Sequence, residues 1–136
     1  MKTRQLGKHG LDVTVIGLGC WQLGSAWGDV VEESLAFDIL QTAVDSGITF
    51  FDTADIYGDG RSETLIGEFL KGTDHNIKVG TKFGRRGDIY PNNYTKDSLR
   101  KCVEASLNRL QMGRLDLLQL HCIPMEIIRQ GDILTG

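Results

Sequence analysis

The sequence predicts an α/β fold in which parallel β-strands alternate with α-helices, and three observations support this prediction. Four apolar runs have the length and composition of buried strands, and three intervening stretches place apolar residues at helical spacing. Residues 3–13 hold two short strand-like pieces around a Lys-His-Gly turn, which indicates an N-terminal β-hairpin. This alternating order is typical of parallel βα units, and both a doubly wound sheet and a β/α barrel fit it.

The first half of the chain supplies two predicted strands and one predicted helix. The run VTVIGLG, residues 13–19, is apolar and ends in glycines, so we predict the first buried strand there. Apolar residues at helical spacing follow over residues 29–46, and Gly47 is placed to end that helix. The run ITFFDTAD, residues 48–55, is aromatic and β-branched before it turns polar, which predicts the second strand.

The second half continues the alternation. Ser62 is the predicted N-cap of a second amphipathic helix, which Gly72 ends. The run IKVGTKF, residues 77–83, predicts the third strand, and Thr95 is the predicted N-cap of the third helix. The run LDLLQLH, residues 115–121, predicts a fourth strand, and its nearly continuous apolar character is typical of a strand covered on both faces.

Composition and charge argue against several classes of protein. The chain has 136 residues, 40% hydrophobic content and a net charge of −3, so we expect neither a nucleic acid nor a membrane as partner. The opening residues lack the apolar core of a secretory signal. The three cysteines form an odd number without metal-type spacing, which predicts reduced thiols, a cytoplasmic protein and no metal site.

Gly17 and Gly19 follow the first predicted strand and invite comparison with a dinucleotide-binding loop. The third glycine, Gly24, comes one position too late for the G-x-G-x-x-G pattern, and no helical spacing begins there. We therefore interpret the glycine pair as close backbone packing at the end of a strand.

Four polar residues lie at or just past the predicted strand ends: Asp52, Tyr57, Lys82 and His121. The carboxyl ends of parallel strands share one edge, where α/β folds place their chemistry. Asp52 can pair with the lysine of the neighbouring strand, and a nearby ammonium favours the phenolate of a tyrosine acting as general acid. A neutral histidine can orient a substrate carbonyl. Each residue taken alone has a structural explanation, but together they favour a proton-transfer site.

Four segments resemble the N-terminal half of the aldo-keto reductases: VIGLGCW, GITFFDTADIYGDGRSETLIG, KVGTKFG and LDLLQLH. The resemblance runs from about Arg4 to about Asp132, and it is greatest to the bacterial branch that also resembles potassium-channel β subunits. It implies that residues 1–136 form the N-terminal half of one oxidoreductase domain with a (β/α)8 TIM-barrel fold. In that fold the N-terminal hairpin covers the bottom of the barrel.

The resemblance also implies roles for individual residues. The family reduces aldehydes and ketones with NADPH, and its catalytic tetrad corresponds to the four strand-end residues, with Tyr57 as the acid. Asp52, Gly19, Cys20 and Trp21 correspond to residues near the nicotinamide ribose of the cofactor. Trp27 falls in a loop that often lines the substrate pocket in this family, although a position in the core or on the surface would explain this tryptophan equally well.

The sequence carries part of the family's pattern. Gly131-Asp132 resembles the start of a fourth helix and the sequence given ends at Gly136, so we expect a truncated barrel of four strands and three helices. Four parallel strands leave open edges, which predicts self-association or pairing with a complementary half-barrel. Two hypotheses follow: an NADPH-dependent reductase of small carbonyl substrates, or a truncated, non-catalytic relative that serves as a binding or assembly module.

Overall fold

The computed structural model describes residues 1–8, 10–25, 30–131 and 133. In this part of the chain the β-strands are β1 Thr3–Gln5, β2 Asp12–Thr14, β3 Leu18–Gly19, β4 Phe50–Asp52, β5 Lys78–Phe83 and β6 Leu117–Leu120. The α-helices are α1 Glu33–Asp45, α2 Arg61–Lys71, α3 Lys96–Leu110 and α4 Met125–Gln130, and a 3₁₀ turn covers Gln22–Gly24. No helix among these residues is long and apolar enough to cross a membrane.

The N-terminal hairpin is confirmed, and it takes residues from the first predicted strand. β1 and β2 pair antiparallel, with Arg4 opposite Val13. Val13 and Thr14 were expected in a parallel strand over residues 13–19, and this expectation is wrong. The Thr14 hydroxyl donates a hydrogen bond to the Ile16 carbonyl at 2.8 Å. This local bond competes with a continuous strand, so the apolar run bends and β3 is reduced to two residues.

β3, β4, β5 and β6 form one parallel sheet, in the order in which they occur along the chain. The predicted parallel βα units are therefore confirmed. The register places Gly19 opposite Asp52 and Lys82 opposite Gln119. Because the strands are parallel, their carboxyl ends lie along one rim, and the polar residues that follow the strands meet there.

The helices pack on one face of the sheet, and the main core lies between them. Fully buried residues of the sheet and of each of the first three helices meet there: Leu40, Phe51, Ile66, Val79 and Leu110. The other face of the sheet is less covered. Strand β6 was expected to be buried on both faces, but the residues of β6 are half-exposed, and Leu120 is 36% exposed.

Two helix starts differ from the prediction. α1 begins at Glu33, and the predicted starting residue, Asp29, lies outside the described residues. α2 begins at Arg61, directly after Gly60, which has a φ of +94°. Ser62 is therefore not the N-cap but a residue of the first helical turn, where its hydroxyl is fully buried.

The third helix has the predicted cap, and a fourth helix precedes the expected position. Thr95 accepts a hydrogen bond from the Ser98 backbone N–H at 3.1 Å, and the Ser98 side chain accepts one in return, which forms a capping box. α4 covers Met125–Gln130, whereas the sequence indicated a helix start at Gly131. Gly131 instead follows the helix with a φ of +76°.

α2 and α3 approach each other closely at Gly67. A Cβ atom at this position would lie 2.3 Å from the Arg109 carbonyl oxygen and 2.8 Å from the Leu110 carbonyl carbon. Only a residue without a side chain fits there, because a backbone cannot yield as a flexible side chain can. This contact fixes the distance between the two helices behind the sheet.

Candidate active site

The structure places the four predicted site residues along one rim of the parallel sheet. Asp52 is the last residue of β4, Lys82 is the second-last residue of β5, and His121 directly follows β6. Tyr57 lies in the loop that connects β4 to α2. The parallel topology therefore brings together residues that are far apart in the sequence.

Asp52 and Lys82 form the ion pair that the sequence predicts. Lys82 Nζ donates to Asp52 Oδ1 at 2.9 Å and to the Thr53 carbonyl at 2.7 Å. The Lys82 side chain is 13% exposed, and that of Asp52 is 39% exposed. A lysine ammonium has three N–H donors, so one remains after these two bonds to residues that the structure describes. The cation is therefore held by protein on one side and can still donate a hydrogen bond.

Gln119 completes this arrangement and was not predicted. Its side-chain amide donates to Asp52 Oδ1 at 2.8 Å, so one carboxylate oxygen accepts from two neighbouring strands. The signal in the sequence was a polar residue inside an otherwise apolar run, two positions before His121. Alternate residues of a strand share a face, so the amide belongs on the side of the site residues.

Tyr57 contacts both the lysine and the histidine through its ring. Lys82 Nζ lies 5.1 Å from the centroid of the tyrosine ring. The His121 ring meets it edge-on, with the two centroids 6.5 Å apart and the ring planes at 84°. The hydrogen bonds of Lys82 go to Asp52 and Thr53, so its contact with the tyrosine is that of a cation beside a ring.

Two glycines fix the loop that carries Tyr57. A Cβ at Gly24 would lie 2.5 Å from the Tyr57 carbonyl carbon, and a Cβ at Gly58 would lie 2.1 Å from the Gly24 carbonyl oxygen. Gly58 also has a φ of +62°, which side-chain-bearing residues rarely adopt. The 3₁₀ turn and the tyrosine loop can therefore touch only as bare backbone, and this contact sets the position of the phenol.

His121 is held in place by its backbone and is neutral near neutral pH. Its N–H donates to the Phe83 carbonyl at 2.7 Å. Burial lowers the pKa of the imidazole below its usual value of 6.5, and the positive charges of Lys82 and Arg85 lower it further. Its Nδ1 is buried and has no hydrogen-bond partner among the described residues. The other ring nitrogen, Nε2, is therefore the atom best suited to a ligand.

Cys20, predicted near the cofactor, is fully buried. Burial raises the pKa of its thiol to about 12, so the thiol stays protonated and unreactive. Its backbone N–H donates to the Asp52 carbonyl at 2.8 Å, and its carbonyl accepts from the Ser62 hydroxyl at 2.8 Å. Ser62 in turn accepts from the Thr53 hydroxyl at 2.8 Å. The residue joins β3, β4 and α2 beneath the rim, and its role beside a cofactor stays a prediction.

The remaining predicted ligand-binding residues are Gly19, Trp21 and Trp27, and the structure describes the first two. Gly19 pairs with Asp52 at the rim, and a Cβ there would meet no atom of the described residues within 4 Å. Trp21 is 42% exposed beside it. Trp27 lies outside the described residues, so its assignment to a substrate pocket stays a prediction.

A second polar cluster lies on the helical side of the sheet and was also not predicted. Glu63 of α2 is fully buried, and it accepts hydrogen bonds from the Thr81 hydroxyl and from Arg109 Nε, the latter at 2.7 Å. Its partners belong to β5 and α3, so the cluster ties both to α2. A buried carboxylate with satisfied oxygens and no access to solvent is suited to a structural role.

Asp55 is a further buried acid close to this cluster. Burial raises the pKa of its carboxyl, and the Cys102 thiol donates a hydrogen bond to its Oδ2 at 3.4 Å. A cavity of about 360 Å³ adjoins both residues, between the loop after β5 and α3. None of the four strand-end residues lines this cavity, so the cavity and the rim are separate features.

Taken together, the rim brings an acid, an ammonium, a phenol and a neutral imidazole to one edge of a parallel sheet, and each of these is a type of group that can take part in proton transfer. The sequence matches the model of the aldo/keto reductase family over residues 15–128. The chain therefore belongs to the aldo/keto reductase family. An uncharacterised oxidoreductase of Bacillus subtilis is 37% identical over 125 residues, which cover 89% of this chain and 39% of that protein. The chain thus spans about two fifths of the length of this relative.

Solved structures agree with this assignment. The holo form of an aldo-keto reductase from Bacillus halodurans superposes with a TM-score of 0.79 at 32% identity, over 98% of this chain and 48% of that chain. An aldo-keto reductase from Klebsiella pneumoniae, solved in complex with NADPH, gives a TM-score of 0.69 at 26% identity, over 89% of this chain and 43% of that chain. The hairpin, the four parallel strands and the first three helices are thus the N-terminal part of a TIM barrel, as predicted.

Proposed function

We propose that this chain forms the proton-transfer part of an NADPH-dependent reductase of aldehydes and ketones, with Tyr57 as the general acid. One observation carries the proposal. The Asp52–Lys82 ion pair lies beside the phenol ring of Tyr57, and the imidazole of His121 meets the same ring edge-on. Because the chain spans only part of its relatives, the activity of the whole enzyme is part of this proposal.

Tyr57 supplies the proton of the reaction. NADPH, when bound, supplies a hydride for the carbonyl carbon. As the π electrons of the carbonyl move onto oxygen, that oxygen takes the proton of the Tyr57 hydroxyl, and the product is an alcohol. A further N–H of Lys82 stabilises the phenolate that forms, and Asp52 holds the ammonium in place through its hydrogen bond.

His121 orients the carbonyl. Its lowered pKa leaves the ring uncharged near neutral pH, so it does not add a second cation beside Lys82. With Nδ1 buried, Nε2 is left to donate a hydrogen bond to the carbonyl oxygen. A neutral donor aligns the oxygen with the phenol without competing with the phenol for the proton.

The rim suits a nicotinamide ribose. The carboxylate of Asp52 is 39% exposed and can accept from a sugar hydroxyl, Gly19 leaves open space beside it, and the indole of Trp21 is exposed for ring contact. The NADPH complex of the Klebsiella pneumoniae relative supports the choice of cofactor.

The described cysteines are all unpaired, which agrees with a reducing, cytoplasmic location.

The test combines cofactor binding with turnover. NADPH fluorescence is titrated with the wild-type chain, and reduction of 4-nitrobenzaldehyde is followed in the wild type and in Tyr57→Phe. We expect equal NADPH binding and a loss of turnover of at least about 10²-fold in the variant. Tyr90→Phe makes the same change at an exposed loop tyrosine and should keep wild-type turnover.

Two results would count against the proposal. Wild-type turnover in Tyr57→Phe would show that another group gives the proton. A folded wild-type chain that does not bind NADPH would contradict cofactor-dependent reduction by this chain and would favour a binding or assembly role instead.

A further inference from the structure

We propose that Gln119 is a positioning residue for the reaction, and that it acts on Lys82 through Asp52. The expected effects on kcat rest on the proposed function, whereas the expected effect on how firmly Lys82 is held does not. Gln119 donates to the same carboxylate oxygen, Asp52 Oδ1, as Lys82 does, at 2.8 Å and 2.9 Å respectively.

The sheet register produces this convergence. β4 contributes the acceptor, and the adjacent residues of β5 and β6, Lys82 and Gln119, contribute one donor each. One side chain from each of three neighbouring strands therefore takes part in the hydrogen bonds at a single oxygen atom, Asp52 Oδ1. A hydrogen bond to a charged acceptor is stronger than one between neutral groups, so the amide holds the carboxylate firmly.

The carboxylate needs this second bond because of where it lies. Asp52 ends its strand, and its side chain is 39% exposed, so packing alone leaves it room to rotate. Rotation would carry Oδ1 away from Lys82 and loosen the ammonium beside the tyrosine ring. A small displacement of a catalytic group costs much of its effect, because proton transfer depends on close approach.

The first test removes the donor and keeps the shape. In Gln119→Met we expect kcat for carbonyl reduction to fall roughly tenfold with KM nearly unchanged, because the amide acts on the reacting groups and not on substrate binding. The matched control is Gln41→Met. Gln41 makes the same amide-to-carboxylate bond, to Asp45 at 2.8 Å, on an exposed helix surface, and its loss should leave kcat unchanged.

A second variant gives a signature that a merely structural role would not produce. In Gln119→Glu a protonated carboxyl can still donate to Asp52, whereas an ionised one repels it. The defect of Gln119→Glu should therefore be small at low pH and grow as the pH rises, while the defect of Gln119→Met should not depend on pH in this way. A pH-independent defect in both variants would overturn the positioning role.

A third measurement needs no turnover. Trace labelling with acetic anhydride, read by mass spectrometry, reports how available Lys82 is relative to Lys78. Lys78 lies on the same strand as Lys82 and pairs with Asp116. We expect the ratio of Lys82 to Lys78 labelling to rise several-fold in Gln119→Met. An unchanged ratio would overturn the inference. A raised ratio in a chain that reduces no carbonyl would instead support the inference and contradict the proposed function.

Discussion

Two carboxylate–cation pairs in this molecule have nearly the same geometry and opposite surroundings. Lys82 and Asp52 are joined at 2.9 Å, and Arg109 and Glu63 at 2.7 Å. The Asp52 side chain is 39% exposed at the rim, whereas that of Glu63 is completely buried behind the sheet. Burial, and not the distance between the charged atoms, therefore separates a pair that can meet a ligand from one that only holds the fold.

One strand of the sheet serves both pairs. Thr81 and Lys82 are consecutive residues of β5, so their side chains point to opposite faces. Thr81 donates a hydrogen bond to Glu63 on the face that the helices cover. Lys82 donates one to Asp52 on the opposite face, at the rim. The structural cluster thus holds the strand on which the lysine depends, while leaving the lysine itself accessible.

The largest effect on stability should come from breaking the buried pair. Arg109→Met leaves the Glu63 carboxylate buried without its cation, and we expect the free energy of unfolding to fall by about 3–5 kcal/mol. Urea denaturation followed by circular dichroism measures this loss. Lys101→Met, which removes the partner of Asp97 in an exposed helix pair, should cost far less, because water and salt screen the charges of an exposed pair. Equal losses in the two variants would contradict the distinction drawn between buried and exposed pairs.

Breaking the rim pair should cost less stability and far more activity. In Lys82→Met water can solvate the half-exposed Asp52, so the expected loss in the free energy of unfolding is about 1–2 kcal/mol. Under the proposed function, carbonyl reduction should fall at least as much as in Tyr57→Phe, because the phenolate would lose the cation that we propose stabilises it. The same denaturation curves and a turnover assay measure both quantities. A stability loss as large as that of Arg109→Met would show that the rim pair is also structural.

The smallest effect concerns pH. Burial lowers the pKa of His121 in the folded state below its usual 6.5, so the unfolded chain binds the proton more readily. This residue should therefore reduce the stability of the fold as the pH falls below about 6.5, and have no such effect at higher pH. Denaturation curves between pH 7.5 and 5.5 should show a shallower decline for His121→Gln than for the wild type. His75→Gln changes an exposed histidine and should keep the wild-type slope; if it removes the slope instead, the assignment to His121 is wrong.

Much of the rim was predictable because its residues carry strong local signals. The third strand was predicted over residues 77–83 and lies at Lys78–Phe83, since its apolar run is bounded by turn residues on both sides. The Asp52–Lys82 pair followed from electrostatics alone, because a lysine in an apolar strand requires a counter-charge. Thr95 was recognised as a cap because its hydroxyl directly precedes the helical spacing.

The remaining features depend on contacts that sequence patterns do not contain. The bend after Thr14 arises from one side-chain hydrogen bond, and the start of α2 is set by the left-handed conformation of Gly60. Gln119 bonds to a residue 67 positions away, so only the three-dimensional register identifies its partner. Glu63 and Arg109 were likewise unremarkable in sequence, because burial of a charge becomes visible only once the helices are packed.

The order of the sheet has a consequence for how this molecule is built. Strands β3 to β6 are neighbours in space in the order in which they leave the ribosome, and α1, α2 and α3 contact one another in the same sequence. Each new strand therefore closes a loop of only one βα unit and pairs with an edge that is already formed, which keeps the entropy of closure small. The nascent polypeptide can thus assemble by stepwise accretion, and the rim acquires its acid, its ammonium and its imidazole in the order of translation.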